Sequence, residues 1–244
     1  MKILDDIYIV ASGDAGFSMS HYRDCTVYLI DGGEEMALID AGVGADDTRI
    51  IKNIEKDGLD PNKISKILLT HGHADHSGGA AGLKELLKAE VFGTGDTARF
   101  VSGGDEKAIA LTEAKLAGAY EADYVFRPCP VTPLSDNARV RIGRYELTLL
   151  ETPGHCDGHA SYLMERGGKK ILFGGDLVFP FGRVILQNIW DCRIPEHAAS
   201  MNRIRELKID SLLCAHSGIL LERGYKAVET ACASFDRLSV PDQL

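Results

Sequence analysis

The chain has 244 residues, 45% of them hydrophobic and 26% charged, which suits a globular protein with a sizeable core and excludes disorder. A formal net charge of −9 speaks against a general nucleic-acid binder, which would carry a basic stripe. Six cysteines without a C-x-x-C pair fit a reducing compartment, and no apolar run reaches the ~18 residues of a membrane span, so the cytoplasm is the expected location.

The opening carries Asp5 and Asp6 where a signal peptide would be apolar. Residues 3–10, 25–30 and 36–40 are β-rich, and Asp31-Gly32-Gly33-Glu34 between the last two is a hairpin signal. Residues 46–56 have helical spacing, with Ile50, Ile51 and Ile54 on one side, and Gly58 and Pro61 stop them. A short apolar strand over 64–70 runs into His71, followed by a helix over 79–88 and a strand over 90–93. Residues 103–122 are rich in Ala, Glu, Lys and Leu and read as a helix, whereas 127–137 hold three prolines and read as a connecting loop. Strands return over 138–142, 145–151, 160–165 and 169–173, with turns at Gly143-Arg144 and Gly167-Gly168. A helix over 196–207, a strand over 211–215 and a helix over 223–238 complete the order. This two-part alternation predicts an α/β (α+β) architecture of two packed sheets with helices outside, and one domain over 1–244 is the simplest reading.

The strongest signal is His71-Gly72-His73-Ala74-Asp75-His76, four potential metal ligands within six positions directly after a strand. A regular helix would spread these side chains around its circumference, while a loop with Gly72 and Ala74 between them can turn them inward around one centre. In a chain with 8 histidines such a cluster is a poor match to chance. His155, Asp176 and His216 each follow a predicted strand, and strand ends in layered folds collect at one edge. Taken singly, each reads as hydrogen-bonded scaffolding. Together with the cluster they form a ligand set.

With these motifs the chain resembles the metallo-β-lactamase-fold hydrolase superfamily over nearly its whole length. The resemblance implies a four-layer αβ/βα sandwich with metals at one edge. It implies His71, His73 and His155 on a first metal, Asp75, His76 and His216 on a second, and Asp176 bridging the two. Asp40 resembles the family aspartate that orients a ligand histidine, and reads equally as a helix-entry turn residue. His159 reads as a supporting histidine and not a ligand. Retention of Asp176 sets the chain beside hydroxyacylglutathione thioesterases, acyl-homoserine lactonases and phosphodiesterase members rather than true β-lactamases. The implied cofactor is two Zn2+, with iron or manganese compatible with the same donors. The implied mechanism is attack by a metal-bridging hydroxide, with Asp75 able to manage a proton.

Substrate signals are sparse. Tyr22 and Arg23 lie in a 14–24 loop that would suit a flap, and Phe179 and Arg183 after Asp176 are candidate wall residues. The 103–122 stretch reads equally as a lid and as outer packing. The little basic clustering after His216 places a lactone or ester slightly ahead of a thioester, and a phosphodiester third. A mononuclear iron persulfide dioxygenase is the alternative from another class. The expected partner is a small-molecule substrate, with no nucleic acid and no membrane, and a homodimer is compatible with the sequence.

Overall fold

The computed structural model describes residues 1–244. The first half runs β1 (Lys2–Leu4), β2 (Ile7–Ala11), β3 (Val27–Asp31), β4 (Met36–Ile39), α1 (Asp47–Lys56), β5 (Ile64–Leu68), α2 (Ala74–Ser77), α3 (Ala80–Leu87), β6 (Glu90–Thr94), α4 (Gly95–Gly103), α5 (Leu111–Leu116) and β7 (Thr132–Leu134). The second runs β8 (Arg139–Ile142), β9 (Tyr145–Glu151), β10 (Ala160–Arg166), β11 (Lys169–Gly175), α6 (Ile194–Arg205), β12 (Ser211–Cys214), β13 (Ile219–Leu220) and α7 (Tyr225–Asp236). Strands β1 to β7 form one sheet in sequential order, and β13-β12-β11-β10-β9-β8 form the other.

The alternation of side chains along the strands explains the layering. Tyr28 and Ile30 of β3 enter the core between the sheets, together with Leu147, Leu149, Tyr162 and Phe173 from the opposite sheet. Val27 and Leu29 point the other way, onto an outer core shared with Ile50 and Ile54 of α1 and Leu83 of α3. Leu172, Leu212 and Cys214 likewise face outward to meet Met201 and Ile204 of α6 and Val228 of α7. Central strands buried on both faces are what helices outside both sheets require. The result is the expected four-layer sandwich. No helix is long and apolar enough to cross a membrane.

Several local expectations are corrected. The strand expected over 3–10 is two strands, because Asp6 adopts a left-handed φ of 63° and turns the chain. The helix expected over 103–122 reduces to α5, because left-handed Gly104 ends α4 and left-handed Ala110 and Gly118 flank what remains. Helix-forming composition gives way there to the turns. Strand β7 lies inside the proline-rich 127–137 segment, paired only with β6, at an edge where Pro133 removes no needed donor. The ligand cluster, expected as a loop, contains the single helical turn α2, and β13 is a further short strand that the sequence did not announce.

In α1, Asp47 is half-buried against the start of α3, where a side chain on Gly82 would overlap its carboxylate. Burial, helped by the nearby Asp24, raises Asp47 from 3.8 to about 6. Between these values the folded protein holds a proton that the unfolded chain releases, so stability falls as pH rises through about 4 to 6 and is flat above. Asp47→Asn is expected to gain about 1 kcal/mol at pH 8, after allowance for solvent screening, and nothing below about pH 4. Urea melts of both proteins at the two pH values test this.

Candidate metal centre

Parallel pairing brings the donors to one edge. Strands β4 and β5 run parallel, as do β11 and β12, and β9 shares the direction of β11 across antiparallel β10. Their C-terminal ends deliver Asp40, the 71–76 cluster, His155, Asp176 and His216. Hydrogen bonds between the sheets hold these ends in register. Ala160 N–H donates to Thr70 O at 2.7 Å, Tyr162 Oη–H to Leu69 O at 2.9 Å, and Thr26 N–H to Ala215 O at 2.7 Å.

All seven predicted donors converge. His155 Nε2 lies 3.1 Å from His73 Nδ1 and 3.6 Å from Asp176 Oδ2. On the other side, His76 Nε2 and His216 Nε2 are 3.3 Å apart, and Asp75 Oδ2 lies 3.5 and 3.2 Å from them. Asp176 stands between the groups, with Oδ1 3.5 Å from His76 and Oδ2 3.5 Å from His216.

The far side of several rings is fixed by a hydrogen bond, which aims the other nitrogen at the centre. His155 Nδ1–H donates to Ile185 O at 2.9 Å, and His71 Nδ1–H to Thr70 Oγ1 at 3.0 Å. His76 Nδ1–H donates to Asp40 Oδ2 at 2.9 Å, while Asp40 Oδ1 accepts Thr70 N–H at 2.7 Å. Of its two readings, Asp40 therefore takes the orienting one, with a left-handed φ of 63° that aspartate tolerates. His159 is no donor to the centre. Its Nδ1–H donates to Thr152 O at 3.0 Å, and its Nε2 accepts Asp176 N–H at 3.0 Å, holding the backbone of that aspartate.

The donor set fits a cation. His71 Nε2 and Asp176 Oδ1 are buried with no hydrogen-bond partner, which is costly for polar atoms unless something binds them. Burial and the His155 imidazole push His73 down to about 3, and burial also lowers His71 and His155, so these three offer neutral lone pairs. Burial opposes charge on His216 too, yet the carboxylates of Asp176 and Asp75 raise it to about 9. Positive charge is favoured at that spot.

Asp40→Asn keeps the acceptor for Thr70 but turns an N–H₂ toward His76 Nδ1. The imidazole then takes the tautomer with its proton on Nε2, closing that nitrogen to a metal. A loss of metal affinity of about 10- to 100-fold is expected, read by competition with a chelator, with little change in fold.

A cavity of about 470 Å³ opens over His73, Asp75 and His216. Ile109, Leu111 and Tyr120 supply apolar wall, so the 103–122 stretch covers the metal edge. Tyr22 and Arg23 line the cavity, with the Arg23 guanidinium 5.0 Å from the Tyr120 ring centre and 2.9 Å from Glu121. The expectation for Phe179 and Arg183 is corrected. Phe179 is 0% exposed in the outer core with its ring 6.2 Å from that of His216, and exposed Arg183 is not on the cavity.

Sequence reasoning missed Tyr120, whose Oη–H donates to Asp75 Oδ1 at 3.4 Å, and the cavity wall at Gln187, Asn188 and Ile189. No spacing signal marks them. It also missed two buried thiols, Cys156 beside His71, His73 and His155, and Cys25 beside Asp40 and His76. Burial raises both, Cys25 to about 12, which leaves them as thiols and not nucleophiles.

A profile described as the Metallo-beta-lactamase superfamily matches residues 10–216. The chain is 26% identical over 189 residues to a hydroxyacylglutathione hydrolase of Chelativorans sp. (strain BNC1), covering 77% of this chain and 56% of that protein. It is 29% identical over 160 residues to the hydroxyacylglutathione hydrolase GloC of Haemophilus influenzae, covering 66% of this chain and 68% of that one. It thus spans little more than half the length of the first of these relatives. Among solved structures, BJP-1, a subclass B3 metallo-beta-lactamase of Bradyrhizobium japonicum, is similar with a TM-score of 0.74 at 23% identity, over 98% of this chain and 92% of that chain. The metallo-beta-lactamase family protein TTHA1429 of Thermus thermophilus gives 0.73 at 25% identity, over 96% and 80%. The likeness to BJP-1 bears on the fold alone.

Proposed function

Because the chain belongs to the metallo-beta-lactamase superfamily, we propose that it is a metal-dependent hydrolase that cleaves a lactone, ester or thioester at a centre for two divalent cations. The observation that carries this reading is the convergence of five imidazoles and two carboxylates, of which His73, Asp75 and His216 open onto a largely apolar cavity. His71, His73 and His155 would hold one cation, Asp75, His76 and His216 the other, and Asp176 would reach both. Imidazole and carboxylate donors suit zinc. Such cations supply Lewis acidity for the acyl carbonyl and acidify water towards neutral pH.

The chain's own groups do the rest. Asp75 Oδ1, bonded to the Tyr120 hydroxyl, is the carboxylate oxygen available to hold a proton beside the reacting carbonyl. Ile109, Leu111 and Tyr120 exclude water and pack on an acyl group. The names of the relatives favour a thioester. Glutathione, however, brings two carboxylates, and Arg23, the only Lys or Arg on the cavity, is already paired with Glu121. An acyl compound without a strongly anionic leaving group fits better.

Protein purified without chelator should carry about two divalent ions per chain and turn over one class in a panel of lactones, thioesters, phosphodiesters and β-lactams. A single iron, oxygen consumption with a persulfide and no hydrolysis would overturn the reading.

A further inference from the structure

Glu113, in the first turn of α5, stands on the cavity wall. Its Oε2 is shielded from solvent and accepts no hydrogen bond, and no lysine, arginine or histidine pairs with it. Behind it, Asp191 is 1% exposed. One Asp191 oxygen accepts Asp157 N–H at 2.9 Å, and the other, Oδ1, has no partner. Burial raises Asp191 to about 6, and Glu113 is near enough to add to that. The same wall carries Gln187 and Asn188, and Arg23 is committed to Glu121 and to the faces of Tyr22 and Tyr120.

A carboxylate with neither solvent on one oxygen nor a cation beside it is held at a cost. No side chain of the protein pairs with that carboxylate, whereas a positively charged ligand group in the cavity would. The rest of the wall, apolar at Ile109, Leu111 and Ile189, suits the carbon chain joining such a group to the metal edge. The chain's net charge of −9 draws cations and repels anions on approach.

We propose, resting on the hydrolase reading above, that Glu113 makes the cavity selective for acyl substrates whose acyl chain carries a protonated amine. Glu113 determines specificity and takes no part in bond cleavage.

Binding of three simple probes to the metal-loaded protein at pH 7, measured by calorimetry, tests this without turnover: hexylamine, 1-hexanol and hexanoate. Hexylammonium is expected to bind at least about tenfold more tightly than hexanol, with hexanoate weakest. Glu113→Gln should erase the preference for the amine, and Glu113→Lys should transfer it to hexanoate, a gain that misfolding does not produce. Equal binding of amine and alcohol by the native protein would overturn the proposal. So would a preference for the amine that survives in E113Q, as it would if the amine bound a metal ion instead. Thioesters bearing the same three chain ends then separate the two readings. Turnover of none of them, nor of the matching esters and lactones, defeats the hydrolase assignment while the probe results still decide the role of Glu113.

Discussion

Stripping divalent metal from the purified protein is expected to cut hydrolysis by at least about 1,000-fold and to lower Tm by about 10 °C, with both restored by added zinc. The catalytic part follows from the source of the nucleophile, because the site offers no serine or thiolate to replace an acidified water. The thermal part follows from linkage. A ligand at 1,000 times its Kd stabilises by about 4 kcal/mol, and a chain of this length shifts by roughly 2–4 °C per kcal/mol. The imidazole contacts lead to the same expectation. His73 Nδ1 and His155 Nε2 at 3.1 Å, and His76 Nε2 and His216 Nε2 at 3.3 Å, bring ring nitrogens together that need a proton or a cation between them. Differential scanning calorimetry with and without chelator, alongside an activity assay, checks both numbers. An unchanged Tm together with unchanged turnover would refute the metal centre.

Gly154→Ala should be a severely damaging substitution for one added methyl. Gly154 has a φ of +127°, a conformation that side chains rarely adopt, and an added Cβ would overlap the backbone N and Cα of His197. That neighbour belongs to α6 and is held by its own bond from His197 N–H to Arg193 O at 3.0 Å. It has little freedom to retreat. The strain must instead displace the turn that carries His155. A loss of about 3 kcal/mol or more in urea melts is expected. In the folded fraction, turnover should fall by about 100-fold, the scale of a 1 Å misplacement. Native-like stability in this variant would mean that the turn is looser than its packing implies.

Much of the centre was legible because its densest part is contiguous in the chain. His71, His73, Asp75 and His76 fall within six positions, and His155, Asp176 and His216 announce themselves by following strands. Their pairing into two groups comes from the family resemblance and not from spacing, and between the two readings of Asp40 only the fold decides, through its bond with His76 Nδ1. The 103–122 segment misled for a physical reason. Its composition favours helix, but Gly104, Ala110 and Gly118 take left-handed conformations that break it, and the resulting short helix is what carries Glu113 onto the cavity. Tyr120 and Glu113 acquire meaning only from residues far away in sequence, Asp75 and Asp191, so no local pattern could single them out. Phe179 failed as a cavity residue because a hydrophobic side chain after a strand end is as free to turn into the core as out of it.

The seam between the two sheets has a consequence for how the molecule matures. Everything that Asp40 and the 71–76 cluster contribute comes from the half ending at Leu134, and His155, Asp176 and His216 come from the half beginning at Arg139. Each half thus owns an incomplete claw, and only residues 135–138 tether one to the other. Under the two-cation reading proposed above, metal capture would act as a proofreading step. A nascent or misdocked chain would grip an ion weakly with one claw and would hold it firmly only once both halves had closed on the same edge.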